Sequence, residues 1–179
     1  MKANGVANPG FYDQRAAFEW VQNYIWAFGG NPNDITGMGL SSGGSSMLFQ
    51  IAAFGGNSTL PFQKVISQSP AWSPHSNQVE AEQFVQNVTA AVNCSDFACL
   101  QGVDFATLIT AVTSVLQYGY ILQPRVDGVF VPELLDVMFT SGKFNPNVQV
   151  LVSHEQRIAF LPVSLTVYQM NRSSALRQW

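Results

Sequence analysis

The sequence predicts an α/β protein in which a mostly parallel sheet is flanked by helices, and three observations lead to this prediction. Short apolar runs typical of buried strands alternate with segments of helical periodicity. The chain has 179 residues, of which 47% are apolar and only 11% are charged. A Gly-x-Ser-x-Gly motif stands between a predicted strand and a predicted helix. We therefore expect one ordinary domain, or part of a larger one, with a substantial core.

Composition excludes several classes of function. A net charge of −3 argues against binding to the phosphates of nucleic acid. The apolar runs stay below the roughly 18 residues of a membrane span, so we expect none. His75 and His154 have no neighbours at metal-ligand spacing, and we expect neither a metal nor another cofactor. The first residues lack the apolar run of an export signal.

The first predicted helix covers residues 11–28. Its apolar residues recur every three or four positions and mark one helical face: Ala17, Trp20, Val21, Tyr24, Ile25 and Phe28. Asp13 stands where an N-cap is expected, and Gly29 and Gly30 stand where a left-handed helix end is expected.

Three short strands follow, at 35–39, 65–68 and 148–152. A helix ending at Ala52 separates the first two, and a helix beginning at Pro132 precedes the third. Asp127 and Gly128 mark a turn before that helix.

Two further helices are expected at 81–92 and 105–115, the second opened by Asp104. They fall between the second and third strands. We expect them to form an excursion away from the sheet.

The Gly-x-Ser-x-Gly motif is the main candidate for chemistry. A sharp turn between strand and helix strains the backbone of Ser41, and Gly39 and Gly43 are expected to give the neighbouring strand and helix the room to pass. The following helix directs its first amides at the reaction centre, so the N–H of Ser42 is the expected oxyanion donor. Ser41 is the candidate nucleophile. The alternative is a Ser- and Gly-rich loop without a catalytic role.

Cys94 and Cys99 form a close pair, which is either a disulfide or two free thiols. A bridge would close a loop of about six residues and contribute about 2 kcal/mol. Four N-glycosylation sequons accompany the pair and suggest secreted ancestry. The sequons begin at Asn57, Asn87, Asn93 and Asn171.

Several blocks of sequence resemble the type-B carboxylesterase and lipase family. They occur in the family's order and cover most of the chain: Asn8–Gly10, Asp13–Arg15, Trp20–Val21, Phe28–Pro32, Gly39–Gly43, Phe62–Ser69, Cys94–Leu100 and Pro124–Gly128. The resemblance implies a partial α/β-hydrolase fold, incomplete at both ends, that hydrolyses small-molecule or lipid esters. It also implies that Cys94 and Cys99 form the family's small disulfide loop and that the protein is secreted and glycosylated.

The family triad is a serine, an acidic residue and a histidine in chain order, and only the serine has a clear counterpart here. The motif differs from the family in having Leu40 instead of Glu and Ser42 instead of Ala. Ile158 stands where the family has its acid, and Glu155 falls three residues early. His75 lies in the wrong loop and His154 lies where the acid-bearing strand ends, so we expect both to be non-catalytic. The family's Gly-rich oxyanion loop lies upstream of the first matching block.

We therefore expect residues 1–156 to be the central part of a type-B carboxylesterase domain and residues 157–179 to be a divergent tail. The expected function is ester hydrolysis with Ser41 as nucleophile, in a truncated form with weak activity or none. Two alternatives remain: a non-catalytic binding or adhesion member of the family, and an acyltransferase that passes the acyl group to an alcohol. The oligomeric state is not predicted.

Overall fold

A computed structural model describes residues 6–72, 78–154, 164–171 and 174–178. The chain forms two compact units. The sheet unit comprises residues 7–74 and 126–179, and the helical unit includes residues 75–125. Each unit is described by itself.

The sheet unit contains a sheet of five strands that follow one another in chain order. The strands are β1 (Thr36–Leu40), β2 (Lys64–Gln68), β3 (Gln149–His154), β4 (Ser164–Asn171) and β5 (Ser174–Gln178). β1, β2 and β3 are parallel, and β4 and β5 are antiparallel additions. The three predicted strands are confirmed, each shifted by one or two residues. β4 and β5 lie within the expected tail, whose boundary at residue 156 stays a prediction.

Helix α1 (Pro9–Tyr24) leads into a 3₁₀ turn (Ile25–Phe28) and confirms the first predicted helix. The predicted stop is also confirmed, because Gly29 has a φ of 81°. Asp13 is not the N-cap, which is a correction. The N-cap is Asn8, five residues earlier, and the helix begins at Pro9 because proline fits the first turn of a helix.

The face of α1 that packs inward differs from the predicted apolar face. Phe11 and Arg15 are buried, and Phe18 and Val21 pack against the core. Trp20 and Tyr24 are about half exposed, at 53% and 50%. The apolar residues of α1 therefore form two stripes along the helix, and only one of these stripes packs against the core.

Helix α2 (Ser42–Ala52) packs against β1, β2 and α1, and its residues from Met47 to Ala52 are buried. Phe62, Phe130 and Phe144, each at most 1% exposed, complete the core. Helix α6 (Leu135–Thr140) begins after Pro132, which corrects the predicted start at that proline. Asp127 forms the predicted turn: its carboxylate accepts hydrogen bonds from the amides of Val129 and Val131 at 2.7 and 2.9 Å.

The helical unit contains α3 (Gln78–Ala91), α4 (Phe97–Gln101) and α5 (Phe105–Leu116). α3 and α5 pack through Val88, Ala111 and Val115. Asp104 caps α5 as predicted, with its carboxylate accepting from the Thr107 amide at 3.0 Å. Cys94 forms a disulfide with Cys99, which lies within α4.

Within the described parts of the chain, the longest helices are too short or too polar to cross a bilayer.

Candidate active site

Ser41 occupies the single residue between β1 and α2. Its backbone has a φ of 55° and a ψ of −119°, a combination that L-amino acids rarely adopt. β1 ends at Leu40 and α2 begins at Ser42, so the chain reverses direction at the serine. Such strain costs about 1–3 kcal/mol and persists only where the surroundings enforce it. Ser41 is exposed at the end of the strand.

The backbone on both sides of Ser41 is held by hydrogen bonds. The amide of Ser41 donates to the carbonyl of Gln68 at 2.9 Å and thereby extends the pairing of β1 with β2. The carbonyl of Ser41 accepts from the Ser45 amide at 3.0 Å. These contacts fix the turn from the sheet side and from the helix side.

Ser45 also ties this turn to the segment that follows β2. Its buried hydroxyl donates to the carbonyl of Ala71 at 2.7 Å and accepts from the Ala71 amide at 2.8 Å. This role of Ser45 was not predicted from the sequence. The available signal was a serine one helical turn after Ser41, on the buried face of α2.

Two glycines make the turn close-packed, and only one of them was predicted to do so. A Cβ on Gly39 would lie 2.2 Å from the carbonyl oxygen of Gly43, so Gly39 must stay a glycine. A Cβ on Gly43 would meet nothing within 4 Å, which corrects the expectation that a side chain is excluded there. The second tight position is Gly44, whose Cβ would lie 2.8 Å from the Gln68 carbonyl oxygen.

The first turn of α2 gives the site its electrostatic character. Amides in the first turn of a helix lack partners within the helix, and the helix dipole adds partial positive charge there. Ser42 is the first residue of α2 and is exposed beside Ser41. An N–H at this position can stabilise negative charge on a neighbouring oxygen atom.

His154 is the one candidate for the base or the acid that falls within the described residues, and it is not brought to Ser41. Leu40 pairs with Gln68, and Gln68 pairs with Ser153. His154, the last residue of β3, therefore lies at the same end of the sheet as Ser41 but two strands away. Two strand spacings amount to roughly 10 Å, beyond hydrogen-bond reach of the serine hydroxyl. His154 is exposed at that edge. His75, Glu155 and Ile158 lie outside the described residues.

A second strained serine lies at this edge and was not predicted. Ser69 follows β2 with a φ of 41°, and its amide donates to the Ser153 carbonyl at 2.6 Å. The amide of Ser41 donates to the carbonyl of Gln68, which is the last residue of β2 and directly precedes Ser69. Both strained serines are therefore connected to the end of β2. The proline at position 70 was the only local signal of an unusual backbone here.

A profile of the carboxylesterase family matches residues 2–178. The chain belongs to the carboxylesterase family. Its membership agrees with the resemblance found in the sequence, and the α/β-hydrolase fold predicted from it is confirmed. The strained serine between β1 and α2 thus lies in a carboxylesterase sheet.

Several curated fungal carboxylesterases and lipases are similar in sequence. Carboxylesterase patB of Aspergillus clavatus is 34% identical over 171 residues, which cover 92% of this chain and 31% of that protein. Secreted lipase ARB07186/07185 of Arthroderma benhamiae is 37% identical over 160 residues, covering 82% of this chain and 28% of that protein.

Solved structures of esterases share the fold. EstA of Aspergillus niger superposes with a TM-score of 0.71 at 30% identity, covering 83% of this chain and 31% of that chain. A PNB esterase gives a TM-score of 0.72 at 25% identity over 88% of this chain and 35% of that one. The chain thus spans about a third of the length of these carboxylesterases.

Proposed function

We propose that this chain is the nucleophile-bearing segment of a carboxylic ester hydrolase, with Ser41 as the nucleophile. The observation that carries the proposal is the strained backbone of Ser41 at the junction of β1 and α2, held by Gln68 and Ser45. Strain of this kind is retained where function requires it. The similarity to fungal carboxylesterases and lipases supports the same reaction.

The proposed reaction follows from the geometry of the turn. The Ser41 hydroxyl oxygen attacks the ester carbonyl carbon, and the carbonyl electrons move onto oxygen, where the Ser42 amide stabilises the charge. The carbon–oxygen bond to the alcohol then breaks, the alcohol leaves with a proton, and water hydrolyses the acyl-serine. A base must take the proton of Ser41, and His154 is too far away to do so directly.

A fluorophosphonate probe tests this proposal, because it reacts with activated serines. We expect slow labelling of the folded chain at Ser41, with a rate that increases when imidazole is added as an external base. The Ser41→Ala variant should lose labelling, whereas Ser42→Ala should keep it, since the proposed contribution of Ser42 is a backbone amide. If a folded sample stays unlabelled at Ser41 even with imidazole, the chain is a non-catalytic member of the family.

The same experiment is extended to distinguish hydrolysis from acyl transfer. A chain pre-acylated at Ser41 by an activated ester should release free acid in water. If an added alcohol receives the acyl group in preference to water, when both can reach the acyl-serine equally well, the acyltransferase alternative is correct.

We further propose an extracellular location and an ester substrate for the protein. Proteins named secreted lipases from Arthroderma benhamiae and Botryotinia fuckeliana are among the relatives, which supports the location. The Cys94–Cys99 disulfide is also typical of oxidising compartments.

A further inference from the structure

We propose that Asn57 is the principal site of N-glycosylation and that the first two sugars of its glycan lie in a polar cleft beside it. The proposal rests on the extracellular location proposed above. It concerns the end of the sheet opposite Ser41 and is independent of catalysis. The sequons at Asn57, Asn87 and Asn93 lie within the described residues.

Asn57 belongs to the sequon Asn57-Ser58-Thr59 and lies in a loop between α2 and β2. Phe54, Gly55 and Gly56 have φ values of 55°, 70° and 78°, so the chain turns sharply before the sequon. Asn57 and Thr59 are both exposed. The residue that would carry the glycan and the threonine that completes the sequon are therefore both on the surface.

The loop is anchored without using Asn57. The guanidinium of Arg15 donates to the Ser58 hydroxyl at 2.6 Å and to the Thr59 carbonyl at 3.3 Å. The side-chain amide of Asn145 donates to the Ser58 carbonyl at 2.9 Å. Arg15 and Asn145 thus hold Ser58, the middle residue of the sequon, whereas Asn57, its first residue, is exposed to solvent.

Asn57 also lines an open cleft of about 580 Å³, together with Thr59, Gln63 and Asn147. Sites of roughly 300–1,000 Å³ hold ligands of drug size, which is the size of two linked N-acetylhexosamines. The exposed Asn147 is held in place by a hydrogen bond that its backbone amide donates to the side-chain oxygen of Asn145 at 2.9 Å. The side-chain amides that line the cleft can form hydrogen bonds with the hydroxyl and acetamido groups of such sugars.

The Asn87 sequon is less suited to a glycan. Asn87 lies inside α3, and its side-chain amide donates to the Tyr120 hydroxyl at 2.9 Å. The hydroxyl of Thr89 donates to the Val85 carbonyl at 2.7 Å. A sugar on Asn87 would leave a single N–H to bond the Tyr120 hydroxyl, whose ring packs against Phe84 at 5.5 Å between centroids.

The Asn93 sequon competes with the disulfide. Its middle residue is Cys94, and Asn93 has a φ of 56° next to the bridge to Cys99. Closing the disulfide holds the sequon in a tight turn, which opposes its entry into the active site of a glycosyl-transferring enzyme. The sequon at Asn171 includes residues outside the described part of the chain.

The modification is a group transfer from a polyprenyl-pyrophosphate-linked oligosaccharide. The Asn57 side-chain nitrogen bonds to C1 of the first sugar, the bond from C1 to the pyrophosphate oxygen breaks, and the amide loses one proton. The lipid pyrophosphate leaves. One N–H remains on the modified amide, so its weak 3.5 Å contact with the Phe54 carbonyl can persist.

Sequon occupancy tests the attachment site. The full chain is delivered to the secretory pathway of a yeast by an added leader, and enzymatic deglycosylation in ¹⁸O-water marks each occupied asparagine for mass spectrometry. We expect Asn57 to be occupied in most molecules and Asn87 and Asn93 in a minority. Asn57→Gln and Thr59→Ala should each remove the main glycan, whereas Thr59→Ser and Asn87→Gln should keep it. Lower occupancy at Asn57 than at Asn87 or Asn93 would overturn the proposal.

Cleavage by an endoglycosidase that cuts between the first two sugars tests the cleft. We expect the glycan on Asn57 to be cut at least tenfold more slowly in the folded chain than after denaturation. The control is a glycan on an exposed loop, introduced by Ser141→Asn with Lys143→Thr, which should be cut equally fast in both states. Equal rates for Asn57 would show that its sugars lie in solvent. The added leader makes both results independent of how the natural chain is exported.

Discussion

At the scale of single residues, the conformation of Ser41 depends on the smallest side chains around it. Gly39 has no room for a Cβ because the backbone of Gly43 passes 2.2 Å from where that atom would lie. Gly44 fits in the same way against Gln68. The strained serine therefore persists because the strand and the helix approach more closely than any side chain would permit.

The contrast between Gly39 and Gly43 gives a prediction. Gly39→Ala should destabilise the chain by about 1–3 kcal/mol, since the added methyl group meets fixed backbone. Gly43→Ala should be neutral or stabilise α2 by up to about 1 kcal/mol, because its Cβ enters open space within a helix. Urea unfolding followed by tryptophan fluorescence measures both. Equal losses for the two variants would contradict the geometry.

At the scale of elements, helix ends show how side chains and backbone cooperate. The carboxylate of Asp104 accepts from the first turn of α5, whereas Asp13 lies exposed inside α1 and caps nothing. Hydrogen bonds from Thr107, first from its side chain and then from its amide, lower the pKa of Asp104 below its usual 3.8. The same residue type thus acts as a cap at one helix and as a surface charge in another.

The lowered pKa of Asp104 predicts a pH dependence. Because the folded pKa lies below the unfolded value, the carboxylate stabilises the helical unit above pH 3.8, and this contribution is lost as the pH falls through the folded pKa. Asp104→Asn should keep the cap and remove this dependence, since asparagine caps helices equally well. Asp104→Ala should lower the urea midpoint at pH 7, and Asp13→Ala should leave it unchanged. Circular dichroism at 222 nm between pH 2.5 and 7 measures these effects, and a pH profile shared by Asp104→Asn and the parent would refute them.

At the scale of the whole molecule, the sheet unit exposes apolar surface that a separate domain of this size would normally cover. Met38 and Leu40 on β1 are 62% and 64% exposed. β1 is the first strand of the described sheet, so no described strand pairs with its outer edge. On α1 and the turn after it, Trp20 and Phe28 are 53% and 74% exposed. Exposed edges and patches of this kind promote association.

We predict that the chain self-associates through the exposed apolar face of β1. Met38→Lys should lower the apparent association constant about tenfold or more, because it replaces apolar surface in the contact with a charge. The control is Thr36→Lys, which adds the same charge to an exposed position of the same strand without removing apolar surface. Sedimentation velocity over a range of concentrations measures the effect. If both variants associate equally, the apolar face of β1 is not the contact.

The sequence determined the features that depend on neighbouring residues: the Gly29 stop, the Asp104 cap, the Asp127 turn and the strand–serine–helix motif at Ser41. Each of these follows from hydrogen bonds or φ preferences within a few positions. Only the tertiary structure decided which stripe of α1 is buried, which glycine beside Ser41 is close-packed and where His154 lies. These depend on segments far apart in the chain, because packing distance is set by whichever strand or helix arrives on the other side.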